Sequence, residues 1–250
     1  VAVSPSSFDS ARQCILRWFF ASNSGTSMPT QSAADGTLIH SLAERFPCGP
    51  RSAVMDALEE EIRAMGVDEG QAASKIHMDH LREMASALGE YLEKSAQAGG
   101  LAGPNGNVQV EVPFDVPISS VHIRGRIDRM EVEGQGVRII DFKTGKKGNK
   151  TGAKKDPDHP QLALYQLAVE QLGYEVLGAE LKYLGYGDVR TISQDPLDPE
   201  TKADWISQLD EIGQKMKGPS FIATPSDEAC QYCEFARSCP AREQGKRSVE

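Results

Sequence analysis

Hydrophobic positions change their period twice along this chain. Near the start, Phe8, Ala11, Ile15, Trp18 and Phe19 fall at helical spacing behind the capping residues Ser6 or Ser7, which predicts a helix. A polar, Gly-rich connection from Ser22 to Asp35 leads to GTLIHSLAERF, where Leu38, Ile39, Leu42, Ala43 and Phe46 form one apolar face of a second helix. Residues 51 to 97 keep the helical period and break near Gly66 to Gly70, so two or more further helices are expected there as an inserted helical subdomain.

After the breaker run GGLAGPNGN the period drops to two. VQVEVPFDV, VHIRGRIDRMEV and VRIIDFK read as three successive strands, with turns at Pro117 to Ser120 and Glu133 to Gly136. A helix through QLALYQLAVEQLG, a fourth strand in VLGAELKYLGYG and a late helix from Pro199 to Lys217 complete the order. That order predicts an α/β core, one mixed central sheet flanked by helices, with no internal repeats.

Composition bounds the class. The chain has 250 residues, 39% hydrophobic and 25% charged, enough for a real core. No apolar run approaches the roughly 20 residues a membrane span needs, and the charged-then-apolar order of a signal peptide is missing, so a cytoplasmic protein is expected. Because the first residue is Val1, the chain is read either as a fragment of something longer or as processed. The net charge of −9 argues against a surface that attracts nucleic acid everywhere. One stretch departs from it: Lys143, Lys146, Lys147, Lys150, Lys154 and Lys155 follow one another with no acid between them. This is either a solvated loop or a phosphate-attracting loop beside an active site.

The chemistry concentrates in GRIDRM and VRIIDFK. Asp128 and Asp141 sit on neighbouring strands, about 4.8 Å apart, and can converge on one point. Converging carboxylates repel and call for a hard cation, which Mg²⁺ satisfies while keeping waters and sites for phosphate. Lys143 projects to the same face as Asp141 and could neutralise charge developing on a phosphoryl oxygen. The plainer alternative is a buried Asp141 to Lys143 ion pair with an exposed Asp128.

With the order of elements in view, GRIDRM followed by IIDFKTG resembles the second and third motifs of the PD-(D/E)XK nuclease superfamily, in its RecB-like branch. GTLIHSLAE is similar to the branch's first motif and QLALY to its helix motif. The resemblance departs at one position, where Ile127 stands in place of proline. It implies a restriction-endonuclease-like core at about 36–48 and 107–187, with the helical insertion at about 50–98, all within a single nuclease domain over 1–250. It also implies Mg²⁺ or Mn²⁺ held by His40, Asp128, Asp141 and the backbone carbonyl of Phe142, with Lys143, Gln161 and Tyr165 completing the catalytic set. Lys146, Lys147, Lys150, Lys154 and Lys155 would then contact DNA. His77, His80 and His122 are expected to be structural, and so is His159, although it precedes the motif helix.

Cys230, Cys233 and Cys239 form C-x2-C-x5-C, a density that points to metal in an intracellular chain. On spacing alone zinc and a [4Fe–4S] cluster are equally good. The resemblance extends to iron–sulfur-stapled nucleases, favours the cluster, and supplies Cys14 as the fourth ligand, tying segments 8–20 and 218–240; Cys48 stays outside the set. The opening SPSSFDSARQC, the helical insertion and this ending are similar to the C-terminal nuclease domains of AddAB-type and AdnAB-type bacterial helicase–nucleases. The function implied is a DNA nuclease acting on single strands fed by a helicase during processing of double-strand breaks. The alternative is a non-catalytic strand-guiding module of the same fold. No GxxxxGK[ST] loop is present, so a motor would lie elsewhere on the polypeptide or on a partner subunit.

Overall fold

A computed structural model describes residues 2–23, 30–98, 108–145, 154–185, 187–231 and 233–246. β1 (Ala2–Val3) precedes α1 (Pro5–Gln13) and α2 (Ile15–Asn23), followed by α3 (Gln31–Arg45), α4 (Arg51–Met65) and α5 (Ala72–Ala98). Then come β2 (Val108–Ile118), β3 (Val121–Glu133), β4 (Gly136–Lys143), α6 (Pro160–Gln171), β5 (Glu175–Tyr183), β6 (Arg190–Gln194) and α7 (Pro199–Lys217). Two short helices, α8 (Asp227–Gln231) and α9 (Glu243–Lys246), lie near the end.

The strands form one mixed sheet, in the order β1, β3, β4, β5, β6, with β2 pairing to β3. β3 organises it: antiparallel to β2 from Val121 to Glu131, with a gap at Asp128, it meets β1 in parallel at one end and β4 in antiparallel at the other. β4 and β5 run parallel, so α6 serves as the crossover between them.

Each face of the sheet has its own core. On one, Ile123, Ile127, Val137 and Ile139 pack against Phe8 of α1, Leu164 and Ala168 of α6, and Trp205 and Leu209 of α7. α6 is buried at every position from Leu162 to Val169, because sheet and helices enclose it on all sides. On the other face, Ile140 and Phe142 join Ile39 and Leu42 of α3 with Leu58 of α4 and Leu88 of α5. No described helix is long and apolar enough to cross a membrane.

Several expectations are corrected. The first helix is capped by Ser4, not Ser6 or Ser7, and breaks at Cys14, whose backbone is extended at φ −163°, giving α1 and α2. α3 starts at Gln31, capped by Thr30, five residues earlier than GTLIHSLAERF suggested. Gly36 then lies inside it, where an added Cβ would come within 3.3 Å of the Thr144 hydroxyl, so its small size lets the helix approach the end of β4. β1 and β6 were not foreseen: β1 is only two residues long, and the two buried positions of β6 (RTISQ) are Ile192 and the polar Gln194, so its alternation does not show in the sequence. The break in the helical insertion falls where expected, with Gly66 ending α4 in the left-handed region at φ 62°.

Candidate active site

The site forms where β3 loses its regular alternation. Ile127 and Met130 are three apart yet both lie in the same core, so the side-chain period slips by one around Asp128. The partner strand keeps its register, with Val110 paired to Arg129 and Val112 to Ile127, but Glu111 and Asp128 between them face each other without joining the ladder. Glu111 adopts a left-handed φ of 50°, a conformation that costs a non-glycine residue on the order of 1 to 2 kcal/mol. Two facing carboxylates with a distorted backbone between them mark a place where local preference yields to another requirement.

α3 covers this point. Asp128 Oδ2 accepts the backbone N–H of Phe142 at 2.7 Å and lies 3.4 Å from His40 Nδ1. The ligand atoms of His40, Glu111 and Asp128 lie within 4.8 Å of one another. Burial opposes charge on His40, but the Asp128 hydrogen bond and the carboxylates of Asp128, Asp141 and Glu111 prevail and raise its pKa above the ordinary histidine value. The three residues floor an open cleft of about 550 Å³ whose walls include Gly36, Thr37 and Ser41 of α3 and Thr144 after β4.

Asp141 belongs to the same neighbourhood but to a different set of contacts. It is only 3% exposed, and its Oδ1 accepts the Gln161 amide at 2.7 Å and the Tyr165 hydroxyl at 3.1 Å. Gln161 also donates to the Tyr165 oxygen at 3.0 Å, so one turn of α6 presents both partners together. Asp141 Oδ2 sits 2.7 Å from the Lys143 ammonium, yet it has no aligned hydrogen bond although it is buried. Burial pushes the Asp141 carboxyl up, and the Asp128 charge adds to this, while Lys143 pulls it down; the net direction is up. Burial likewise raises the Tyr165 hydroxyl, which stays protonated.

The structure therefore gathers His40, Asp128, Asp141, Lys143, Gln161 and Tyr165, while Phe142 contributes its N–H to Asp128. A divalent cation fits the set. One imidazole and two carboxylates already converge, and a buried carboxylate oxygen on Asp141 lacks an aligned donor. Glu111 escaped the reading of the sequence because it alternates with Val110 and Val112 like any solvated strand residue. Counting back from the two-residue turn at Ser119 and Ser120 would have found it, since Ile118 pairs with Val121 and that register sets Glu111 against Asp128.

The lysine run is divided. Lys146, Lys147 and Lys150 lie outside the described residues. Lys154 and Lys155 are exposed beside β6, two strands from β4, with Lys155 bonded to Asp195 at 2.7 Å. His159 caps α6 through its backbone and has a buried Nδ1 without a hydrogen-bond partner.

The chain ends meet at a second feature. Cys14, Cys230, Cys233 and Cys239 all line one pocket, together with Leu16, Phe20 and Phe235. Cys14 Sγ accepts the Thr224 N–H at 3.4 Å. Among the described residues, no three of these sulfurs lie within 4.8 Å of one another. Cys48 stands in the turn between α3 and α4 and does not line the pocket.

Comparison with known proteins agrees with this geometry. The family model for the PD-(D/E)XK nuclease superfamily matches residues 2–240. The Gene 69 protein of Mycobacterium phage L5 is 27% identical over 136 residues, covering 52% of this chain and 44% of that protein. Its counterpart in Mycobacterium phage D29 is 25% identical over 142 residues, covering 55% and 49%. The alignments thus span about half the length of these curated relatives. A candidate exonuclease from Eubacterium rectale shares the fold, with a TM-score of 0.54 at 14% identity over 94% of this chain and 86% of that one.

Proposed function

Because this chain belongs to the PD-(D/E)XK nuclease superfamily, we propose that it is a Mg²⁺- or Mn²⁺-dependent deoxyribonuclease of the RecB-like branch, hydrolysing phosphodiester bonds in single DNA strands. The observation that carries this reading is the convergence of His40, Glu111 and Asp128 in an open cleft, with the buried Asp141 and its partner Lys143 close enough to act on them electrostatically. The C-x2-C-x5-C ending and the helical insertion favour a nuclease of AddAB or AdnAB type, cytoplasmic and supplied with strands by a helicase on the same polypeptide or a partner subunit during the processing of broken ends.

A cation held by His40, Glu111 and Asp128, with Asp141 and the Phe142 carbonyl within the same set, would act as a Lewis acid and lower the pKa of a water. The protein's own groups make the remaining contributions. The Phe142 N–H fixes the direction of Asp128, and His40 holds it from α3. Gln161 and Tyr165 lock Asp141 Oδ1, so that only Oδ2 can turn toward a ligand. Lys143 favours the ionised form of the buried Asp141 and is a third exposed, so its ammonium can reach a phosphoryl oxygen at the cleft. The lysines from 146 to 155 would add sequence-independent attraction for the DNA backbone.

The same reading takes the cysteine pocket as the seat of a structural [4Fe–4S] cluster. Four thiols from both ends of the chain line it, and its surroundings are largely apolar.

The test is cleavage of end-labelled single-stranded DNA in Mg²⁺ or Mn²⁺ by the wild type, Asp128→Asn and Asp141→Asn. Cleavage by the wild type alone is expected. A wild type that binds the strand without cutting it would instead make the protein a strand-guiding module.

A further inference from the structure

The outer face of the β2 and β3 hairpin is bare. Pro113, Asp115 and Pro117 on β2 and His122, Arg124 and Arg126 on β3 are all exposed, while Phe114, Val116, Ile123 and Ile127 between them are buried in the core. Strand alternation therefore puts Arg124 and Arg126 side by side on the open face, about 6.8 Å apart along the strand. That spacing is of the same order as the separation of successive phosphates in an extended nucleic-acid strand.

The row points at the cleft. Arg126 Nη1 reaches Glu111 Oε2 at 3.4 Å, and Glu111 is one of the three converging ligand residues. Of the acids of this face, Asp115 stands opposite Arg124 in the register and bonds His122 at 3.0 Å, and Glu111 bonds Arg126, so a phosphate at Arg124 competes only with an exposed carboxylate. Among the described residues β2 pairs only with β3, and Pro113 and Pro117 remove two of its N–H donors, which disfavours addition of a protein strand. Arginine pairs strongly with phosphate, and an exposed ion pair such as that of Arg126 with Glu111 is worth little and easily exchanged.

We propose that Arg124 and Arg126 form a phosphate-binding rib that leads a single DNA strand along β3 into the cleft, with Arg126 parked on Glu111 until a cation engages that carboxylate. The rib rests on the nuclease reading of the cleft and adds the path by which the substrate reaches it. With Glu111 committed to a cation, the Arg126 guanidinium turns to the phosphate nearest the site. Arg126 thus competes with the cation for Glu111 in the absence of DNA and binds the substrate in its presence.

Fluorescence anisotropy of a labelled single strand, titrated with salt in Ca²⁺, tests the rib, with Mn²⁺ titration by calorimetry alongside. Arg124→Gln/Arg126→Gln should bind more weakly, and the salt slope should fall by about 1.4, from about 0.7 per phosphate contact on single strands. The paired Lys variants should restore the slope, and Arg126→Gln alone should bind Mn²⁺ more tightly than the wild type. Undiminished DNA affinity and slope in the double Gln variant, with a wild type that binds and cuts, would overturn the rib and leave the nuclease reading standing. Unchanged Mn²⁺ affinity in Arg126→Gln would overturn the exchange at Glu111. A wild type that neither binds nor cuts single strands would overturn both readings.

Discussion

Asp141 is a buried carboxylate whose surroundings serve chemistry at the expense of stability. Its pKa is raised by burial, so in the folded state it holds a proton to higher pH than in the unfolded chain, and its contribution to stability is fullest in acid and is lost as the pH rises through the folded value. Asp141→Asn should therefore abolish cleavage, by a factor of about 10³ or more, while gaining in thermal stability relative to the wild type as metal-free buffer is brought from acid to neutral pH. Melting curves in chelator across that range check the sign, and a gap that moves the other way would show that Lys143 outweighs burial. Glu111 gives the complementary case. Glu111→Gln should weaken Mn²⁺ binding by calorimetry about tenfold or more, because one of the two carboxylates beside His40 is lost. Asp128, Asp141 and Lys143 were legible in the sequence because acids and a lysine interrupt apolar strands. Glu111 was not, because its distinguishing features are a backbone angle and a cross-strand neighbour, and neither shows in a local pattern.

At the scale of elements, the long hairpin of α4 and α5 is fastened to the sheet by polar contacts as well as apolar ones. Arg129, fully buried on β3, donates to Glu131 at 2.7 Å, to Ser95 of α5 and to the Pro47 carbonyl before α4. Tyr91 of α5 donates to the same Glu131 at 2.9 Å. Removing the cation alone leaves a buried carboxylate without its counter-charge, so Arg129→Met should cost about 3 to 5 kcal/mol in chemical denaturation. Adding Glu131→Gln should recover a large part of it; a double variant no more stable than the single one would assign the loss to packing instead. The helices themselves were readable from their period and from Gly66. What tied them to the sheet was not, since alternation from Ile127 would put Arg129 and Glu131 on the α6 face, and only the slip at Asp128 moves them to the face that α4 and α5 cover. The same slip accounts for the site and for the docking of the hairpin, which makes it the main feature that alternation alone could not foresee.

At the scale of the whole molecule, the site is built from the middle of the sequence and the closure from its ends. α2 meets the last segment through aromatic contacts, with Phe19 stacked on Phe221 at 4.2 Å, Trp18 against Phe221 at 6.0 Å and Phe20 against Phe235 at 5.5 Å. Phe20 and Phe235 also line the cysteine pocket. Cys14 and Cys230 are 216 positions apart, and closing a loop of that length would stabilise the fold by about 5 kcal/mol through the unfolded state. Protein purified without oxygen should accordingly be brown and hold about four iron atoms. Cys14→Ser should lower iron content as severely as Cys233→Ser despite its distance in sequence, and Cys48→Ser should leave it unchanged. Because the carboxylates and Lys143 stand on strands that the end segments do not supply, removing iron should first loosen α2 and the last segment. Trp18 fluorescence should then shift to the red before Mn²⁺ binding at His40, Glu111 and Asp128 is lost. A colourless protein with one tightly held zinc would remove the cluster and keep the closure, and loss of Mn²⁺ binding in step with the Trp18 shift would show that the ends and the site unfold as one unit.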